Sequence, residues 1–180
     1  MEIGITKEST AGVESDCSLN EKIMSHKHGV FESRLKCTDD NDKTGQGSRG
    51  WGFWNHGDGY HFDAVWFFSC SSESDPAVQK LQAMVVNSGT ITFKKIVNID
   101  MSKWHTYRVE MLPAKTVYYV DETEVASTDE TIKSDLPLQA LWWIDNKKVF
   151  FEDGKYGIEF INVHQDQKMY IDWIKFYAVR

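Results

Sequence analysis

Asp63 and Asp145 are the first suspects for chemistry in this chain of 180 residues. Two carboxyl groups held about 5 Å apart can act as nucleophile and acid/base, with burial raising the pKa of one of them. Each stands beside aromatic residues. Asp63 opens the run Asp63-Ala64-Val65-Trp66-Phe67-Phe68-Ser69, and Asp145, followed by Asn146, closes a segment that contains Trp142-Trp143. A carboxylate beside an indole also suits a non-catalytic task, in which the ring stacks on the apolar face of a sugar and the carboxylate takes its hydroxyls. Asp145-Asn146 has a plain alternative as the turn at a strand end.

Other reactive residue types form weaker patterns. His26 and His28 have His-x-His spacing, and His56 and His61 flank a Gly-Asp-Gly loop, but neither pair has a third ligand at a telling spacing, so no transition metal is expected. Cys17, Cys37 and Cys70 have no metal-ligand spacing and leave at least one thiol unpaired, which reads as three reduced, mostly buried thiols. Ser69-Cys70-Ser71 lacks a Gly-x-Ser-x-Gly elbow and a base. His105 alternates with core positions and is expected to be a packed, hydrogen-bonded histidine.

These residues need a scaffold. At 20.8 kDa the chain fits one domain over residues 1–180 with a sizeable core. A net charge of −7 without a Lys/Arg cluster excludes nucleic acid as the main partner. No run of about 18 apolar residues exists to span a membrane. The opening Met1-Glu2-Ile3-Gly4-Ile5 is strand-like rather than signal-like, so the cytoplasm is the default expectation, with a secreted precursor as its alternative.

Period-two alternation predicts many short strands. They are Val30–Cys37, Trp51–Asn55, Asp63–Cys70, Leu81–Val86, Thr90–Ile99, Trp104–Leu112, Thr116–Val120, Glu124–Ser127, Leu138–Ile144 and Met169–Val179. Turn formers separate them, including His56-Gly57-Asp58-Gly59-Tyr60 and Asn87-Ser88-Gly89. Pro76–Val86 has a weak helical pattern, but its β-branched end favours strand. The expected fold is all-β, an antiparallel sandwich of jelly-roll type.

Four segments resemble glycoside hydrolase family 16, the laminarinase and lichenase family with a concanavalin A-like jelly roll. Gly29-Val30-Phe31-Glu32-Ser33-Arg34-Leu35-Lys36 resembles its early G-x-F-E-x-R-[IL]-K strand, and Trp51-Gly52-Phe53-Trp54 its W-P-A-F-W strand. Trp104-His105-Thr106-Tyr107-Arg108-Val109-Glu110 with Val117-Tyr118-Tyr119-Val120-Asp121 is similar to F/W-H-x-Y-x-[VI]-E-W…F-Y-V-D-G. Met169 to Tyr177 resembles the closing M-x-V-D-[YW]-[VI]-R-V-Y strand. The order and spacing match over roughly residues 29 to 177.

The departure falls on the strand after Trp54. The family carries E-x-D-x-(x)-E there, whereas only Asp63 stands in for a carboxylate and the other two positions read as Val65 and as Phe67 or Phe68. The resemblance implies a concave sheet as the binding face, and Trp54, Trp66, Trp142 and Trp143 are its candidate stacking rings. Alternation sends Trp142 and Trp143 to opposite faces, and the polar parity Gln139, Asp145 puts Trp143 on the open side. Asn55, Asp63, Asp145 and Asn146 would bond hydroxyls. No cofactor is expected, although the resemblance implies that Asp172 could lie near a structural calcium.

The expected function is binding of an oligosaccharide or polysaccharide without standard retaining glycosidase chemistry. One alternative is a polysaccharide hydrolase using Asp63 and Asp145 as a non-standard pair. The other is a structural or protein-interaction sandwich whose concave face is filled.

Overall fold

Apolar and polar residues alternate along most of the chain, and an extended backbone turns that alternation into two faces. A computed structural model describes residues 1–6, 12, 14–22, 26–38, 47–55, 61–70, 80–152, 155–163 and 165–177. The expected hairpin loop 56–60, most of the loop 38–50, Ser71 to Ser74, the proline-led start of 76–86 and the end of the last strand lie outside the described residues.

The described residues form fourteen strands and no helix. They are β1 (Glu2–Ile5), β2 (Asp16–Asn20), β3 (Gly29–Cys37), β4 (Ser48–Trp54), β5 (Ala64–Cys70), β6 (Gln82–Asn87), β7 (Thr90–Ile96), β8 (His105–Met111), β9 (Thr116–Val120), β10 (Thr123–Thr128), β11 (Gln139–Asp145), β12 (Lys147–Glu152), β13 (Lys155–Phe160) and β14 (Gln167–Tyr177). One six-stranded sheet has the order β1-β14-β3-β8-β9-β10 and the other β2-β11-β4-β5-β6-β7. All strand pairings among the described residues are antiparallel. β12 and β13 form a separate hairpin, and β12 lies against β4 and β5.

The inner faces of the two sheets make one core. Trp51 and Phe53 of β4, Val65 and Phe67 of β5, and Trp142 and Ile144 of β11 meet Phe31, Leu35, Tyr107, Tyr118 and Met169 of the opposite sheet. Edge-to-face rings tie the layers together, as between Trp51 and Tyr107 with centroids 4.7 Å apart. The Tyr118 hydroxyl donates across the core to the Met84 carbonyl at 2.5 Å, and burial pushes its phenol well above the ordinary tyrosine range. Arg49 is fully buried beside this core and donates to Gln167 Oε1 at 2.7 Å.

The antiparallel jelly-roll sandwich expected from the sequence is the fold found. Three strands were not expected: β2, β12 and β13. β2 (DCSLN) holds only two apolar residues and sits at a sheet edge, where one partner strand supplies the pairing that its composition does not announce. The β12–β13 hairpin stands outside both sheets, so the periodicity of the main core gives no sign of it.

Candidate functional site

The outer face of the second sheet is built around two glycines. Trp51 and Phe53 of β4 point into the core, so Ser48, Gly50, Gly52 and Trp54 point outward. Register aligns Gly50 with Trp143 of β11 and Phe68 of β5, and Gly52 with Leu141 and Trp66. A Cβ at Gly50 would run into the six-membered ring of Trp143, so the indole lies directly over that backbone. Gly52 has φ 151°, and a Cβ there would meet the Val65 carbonyl and the Trp66 backbone. Glycine makes room at Gly50 for the Trp143 indole and at Gly52 for the close approach of the β5 backbone.

The result is a second apolar cluster, separate from the main core. Ala64, Trp66, Met84, Val86, Leu141 and Trp143 are buried in it, with Trp54, Phe62, Phe68 and Ile91 packed partly open around them. Trp66 is its centre, with ring centroids 4.9 Å from Trp143, 5.5 Å from Phe62 and 6.0 Å from Phe68. Its indole N–H is buried and has no hydrogen-bond partner among the described residues. Trp66 is 9% exposed and Trp143 8%.

The outward positions of β5 are Ala64, Trp66 and Phe68, whereas Val65 and Phe67 point into the core. Of the positions aligned with the family's carboxylates, Val65 and Phe67 or Phe68, only Phe68 lies on the outer face. Asp63 precedes the strand, and the outward parity starts at Ala64. On either parity the strand itself carries no acid.

Asp63 and Asn55 close the β4–β5 connection. The Asn55 side-chain amide donates to Asp63 Oδ2 at 2.9 Å, the Asp63 N–H donates to Asn55 Oδ1 at 2.9 Å, and the Asn55 N–H donates to the Asp63 carbonyl at 3.0 Å. Ser88 N–H and the Ser134 hydroxyl donate to the same carboxylate at 2.8 and 2.5 Å. Burial alone would raise the Asp63 pKa, but the donors from Ser134, Ser88 and Asn55 outweigh it and hold the carboxyl below its ordinary value. This aspartate is a junction between three loops.

Asp145 lies at the other end of the sheet, 2% exposed. The Ser48 hydroxyl donates to its Oδ1 at 2.7 Å, and the Lys147 N–H donates to the same oxygen at 2.9 Å. Burial pushes its pKa up to about 6, against the opposing pull of the Lys147 ammonium 3.6 Å away. That ammonium also reaches Glu14 at 2.6 Å and Asp16 at 3.8 Å. Asn146 is fully buried, accepts from the Ser15 N–H at 2.8 Å and donates to the Ile161 carbonyl at 3.2 Å.

The fold does not bring Asp63 and Asp145 together. Asp145 pairs with Ser48 at the start of β4, and Asp63 pairs with Asn55 just past its end. Six extended residues between them span roughly 20 Å, well beyond the ~5–9.5 Å that either glycosidase geometry requires. Asp172 is also committed, accepting from Arg34 at 2.6 Å, and no group of three His, Cys, Asp or Glu side chains able to hold a metal occurs among the described residues. Ser48, Phe62 and Leu141 join the site without having been singled out, and Phe68 joins it as a ring rather than as a missing carboxylate. The signal for it was Gly50-Trp51-Gly52, two glycines of one parity around a core tryptophan.

No protein-family model matches the sequence, and no curated protein matches it. Solved structures do. A β-glucanase of Bacillus licheniformis matches with TM-score 0.60 at 16% identity, over 99% of this chain and 92% of that one. An immunostimulatory antigen and pseudo β-1,3-glucanase of Mycobacterium tuberculosis matches with TM-score 0.65 at 12% identity, over 92% and 76%. A carbohydrate-binding module from Bacillus subtilis matches with TM-score 0.55 at 12% identity, over 97% and 95%. The chain has the jelly-roll fold of these family-16-like glucanases.

Proposed function

We propose that the chain binds a neutral oligosaccharide or polysaccharide on the outer face of its second sheet, without standard retaining chemistry. The observation that carries this reading is the contiguous ring cluster Trp54, Phe62, Trp66, Phe68 and Trp143 on a sheet whose central strand has no outward acid. Trp66 and Trp143 are the base of the site, and the partly open Trp54, Phe62 and Phe68 are the surfaces that stack on sugar rings. Asn55, Asp63, Asp145 and Asn146 act mainly by holding the ends of the sheet, since their polar atoms already bond one another and the neighbouring loops.

The low exposure of Trp66 and Trp143 favours a second reading, in which the face is filled by the protein's own side chains and packs rather than binds. Isothermal titration with laminarin and lichenan separates the two. Binding weakened about tenfold or more by Trp54→Ala supports the sugar site. No binding to either glucan, together with unchanged behaviour of Trp54→Ala, leaves the packing surface. Reducing-sugar release is expected to be absent for both glucans, and activity lost in Asp63→Asn would overturn the non-catalytic part of the proposal.

A further inference from the structure

The outer face of the first sheet is a second aromatic surface, of different chemistry. Glu32, Arg34 and Lys36 of β3 point outward there, beside Arg108 and Glu110 of β8, Tyr119 of β9 and Tyr170 of β14. Cations on it are held over rings. The Arg34 guanidinium lies 4.9 Å from the Trp104 centroid, Arg108 lies 4.0 Å from Tyr119, and the Lys175 ammonium lies 4.3 Å from Trp173.

Most of these cations also have a carboxylate. Arg34 bonds Asp172 at 2.6 Å, Arg108 bonds Glu110 at 3.2 Å, Lys168 bonds Glu2 at 2.9 Å, and Lys175 lies 3.8 Å from Glu32. Lys36 is the exception. Its ammonium sits between two rings, 5.4 Å from the Trp104 centroid and 5.3 Å from that of Tyr170, and among the described residues no carboxylate pairs with it. Trp104 is 38% exposed, against 9% and 8% for the central indoles of the other face.

We infer that this patch is a second saccharide site, selective for a glycan bearing sulfate or carboxylate groups. The exposed part of the Trp104 indole takes the apolar face of one sugar ring. Lys36, held between the two rings and without a paired carboxylate among the described residues, takes the acidic group by a charge-assisted hydrogen bond. Arg34, committed to Asp172, holds the Trp104 ring in place. The chain as a whole is acidic at −7, so attraction of any polyanion by net charge works against binding, and the selectivity must come from this local pairing.

Titration with dextran sulfate and with unsulfated dextran tests the site. Dextran sulfate should bind at least about tenfold more tightly than dextran, and Lys36→Gln and Trp104→Ala should each lower that affinity about tenfold. Lys36→Arg should retain it. Trp54→Ala, on the other sheet, should leave it unchanged, which separates this site from the neutral-glycan site. Equal binding of dextran, no binding of dextran sulfate, affinity unchanged by Lys36→Gln or Trp104→Ala, or equally tight binding of polyuridylate would overturn the inference.

Discussion

The indole N–H of Trp143 donates to Ser48 Oγ at 3.2 Å, and this bond orients the ring that forms the base of the outer cluster. The Ser48 hydroxyl in turn donates a hydrogen bond to Asp145 Oδ1 at 2.7 Å, so the pose of a surface-layer indole is set by a buried carboxyl at the sheet end. The position of Trp143 over Gly50 completes the constraint. Ring, hydroxyl and carboxyl act as one unit, which leads to separable expectations.

Removing the hydroxyl leaves two buried polar atoms short of a partner. Ser48→Ala should cost about 1–3 kcal/mol of unfolding free energy, read by urea denaturation, because an unmade buried hydrogen bond costs its full desolvation. In a double-mutant cycle, Ser48→Ala and Asp145→Asn should couple by more than about 0.5 kcal/mol. Strict additivity would show that the two side chains do not act together.

Asp145 makes stability depend on pH with a definite sign. Its folded pKa, about 6, lies above the ordinary carboxylate value of 3.8, so the protonated form is favoured in the native state. The contribution is fully present below about pH 4 and is lost as pH rises through about 6. Two pKa units correspond to about 3 kcal/mol as an upper figure. Comparing wild type with Asp145→Asn at pH 4 and pH 7.5, the wild type should lose more stability on going to the higher pH. A constant difference between them would contradict the assignment.

Gly50→Ala tests the packing of the outer cluster. The new methyl overlaps the Trp143 ring, which cannot move away without disturbing Trp66 and Phe68. A loss of about 1–3 kcal/mol is expected from such overpacking, with a change in tryptophan fluorescence of the folded protein. Unchanged stability and emission would place the ring elsewhere.

Asp63→Ala should destabilise by about 3 kcal/mol, since donors from Asn55, Ser88 and Ser134 lose a charged acceptor together. Because the folded pKa of Asp63 is depressed, its stabilising contribution is present above the ordinary carboxylate pKa and is lost as pH falls through the lower folded value. The wild-type advantage over Asp63→Asn, followed by denaturation from pH 6 down to pH 2.5, should therefore shrink on acidification.

Much of this fold is written in local alternation. The phases of Phe31-Ser33-Leu35-Cys37 and of Tyr107-Val109-Met111 assign core faces directly, because successive side chains of a strand point to opposite sides. The same rule separates Trp142, in the core, from Trp143, on the outer face. It fails where alternation says nothing. At Asp63 the strand has not yet begun, so alternation alone leaves open whether Phe67 or Phe68 shares its face, and the structure puts Phe68 outward.

The sandwich, the strand phases and the lack of an acid along β5 follow from local spacing, since all are properties of residues a few positions apart. The partners of Asp63, Asp145 and Asn146 follow from contacts that local spacing does not carry. Their partners Ser134, Ser48 and Ser15 are 71, 97 and 131 residues away along the chain, and a hydrogen bond depends on which groups the fold brings to within about 3 Å. Side chains that read as free ligands in one dimension are bound to the protein's own loops in three, and the partly open rings around Trp66 are what the fold leaves on the outer face of the sheet.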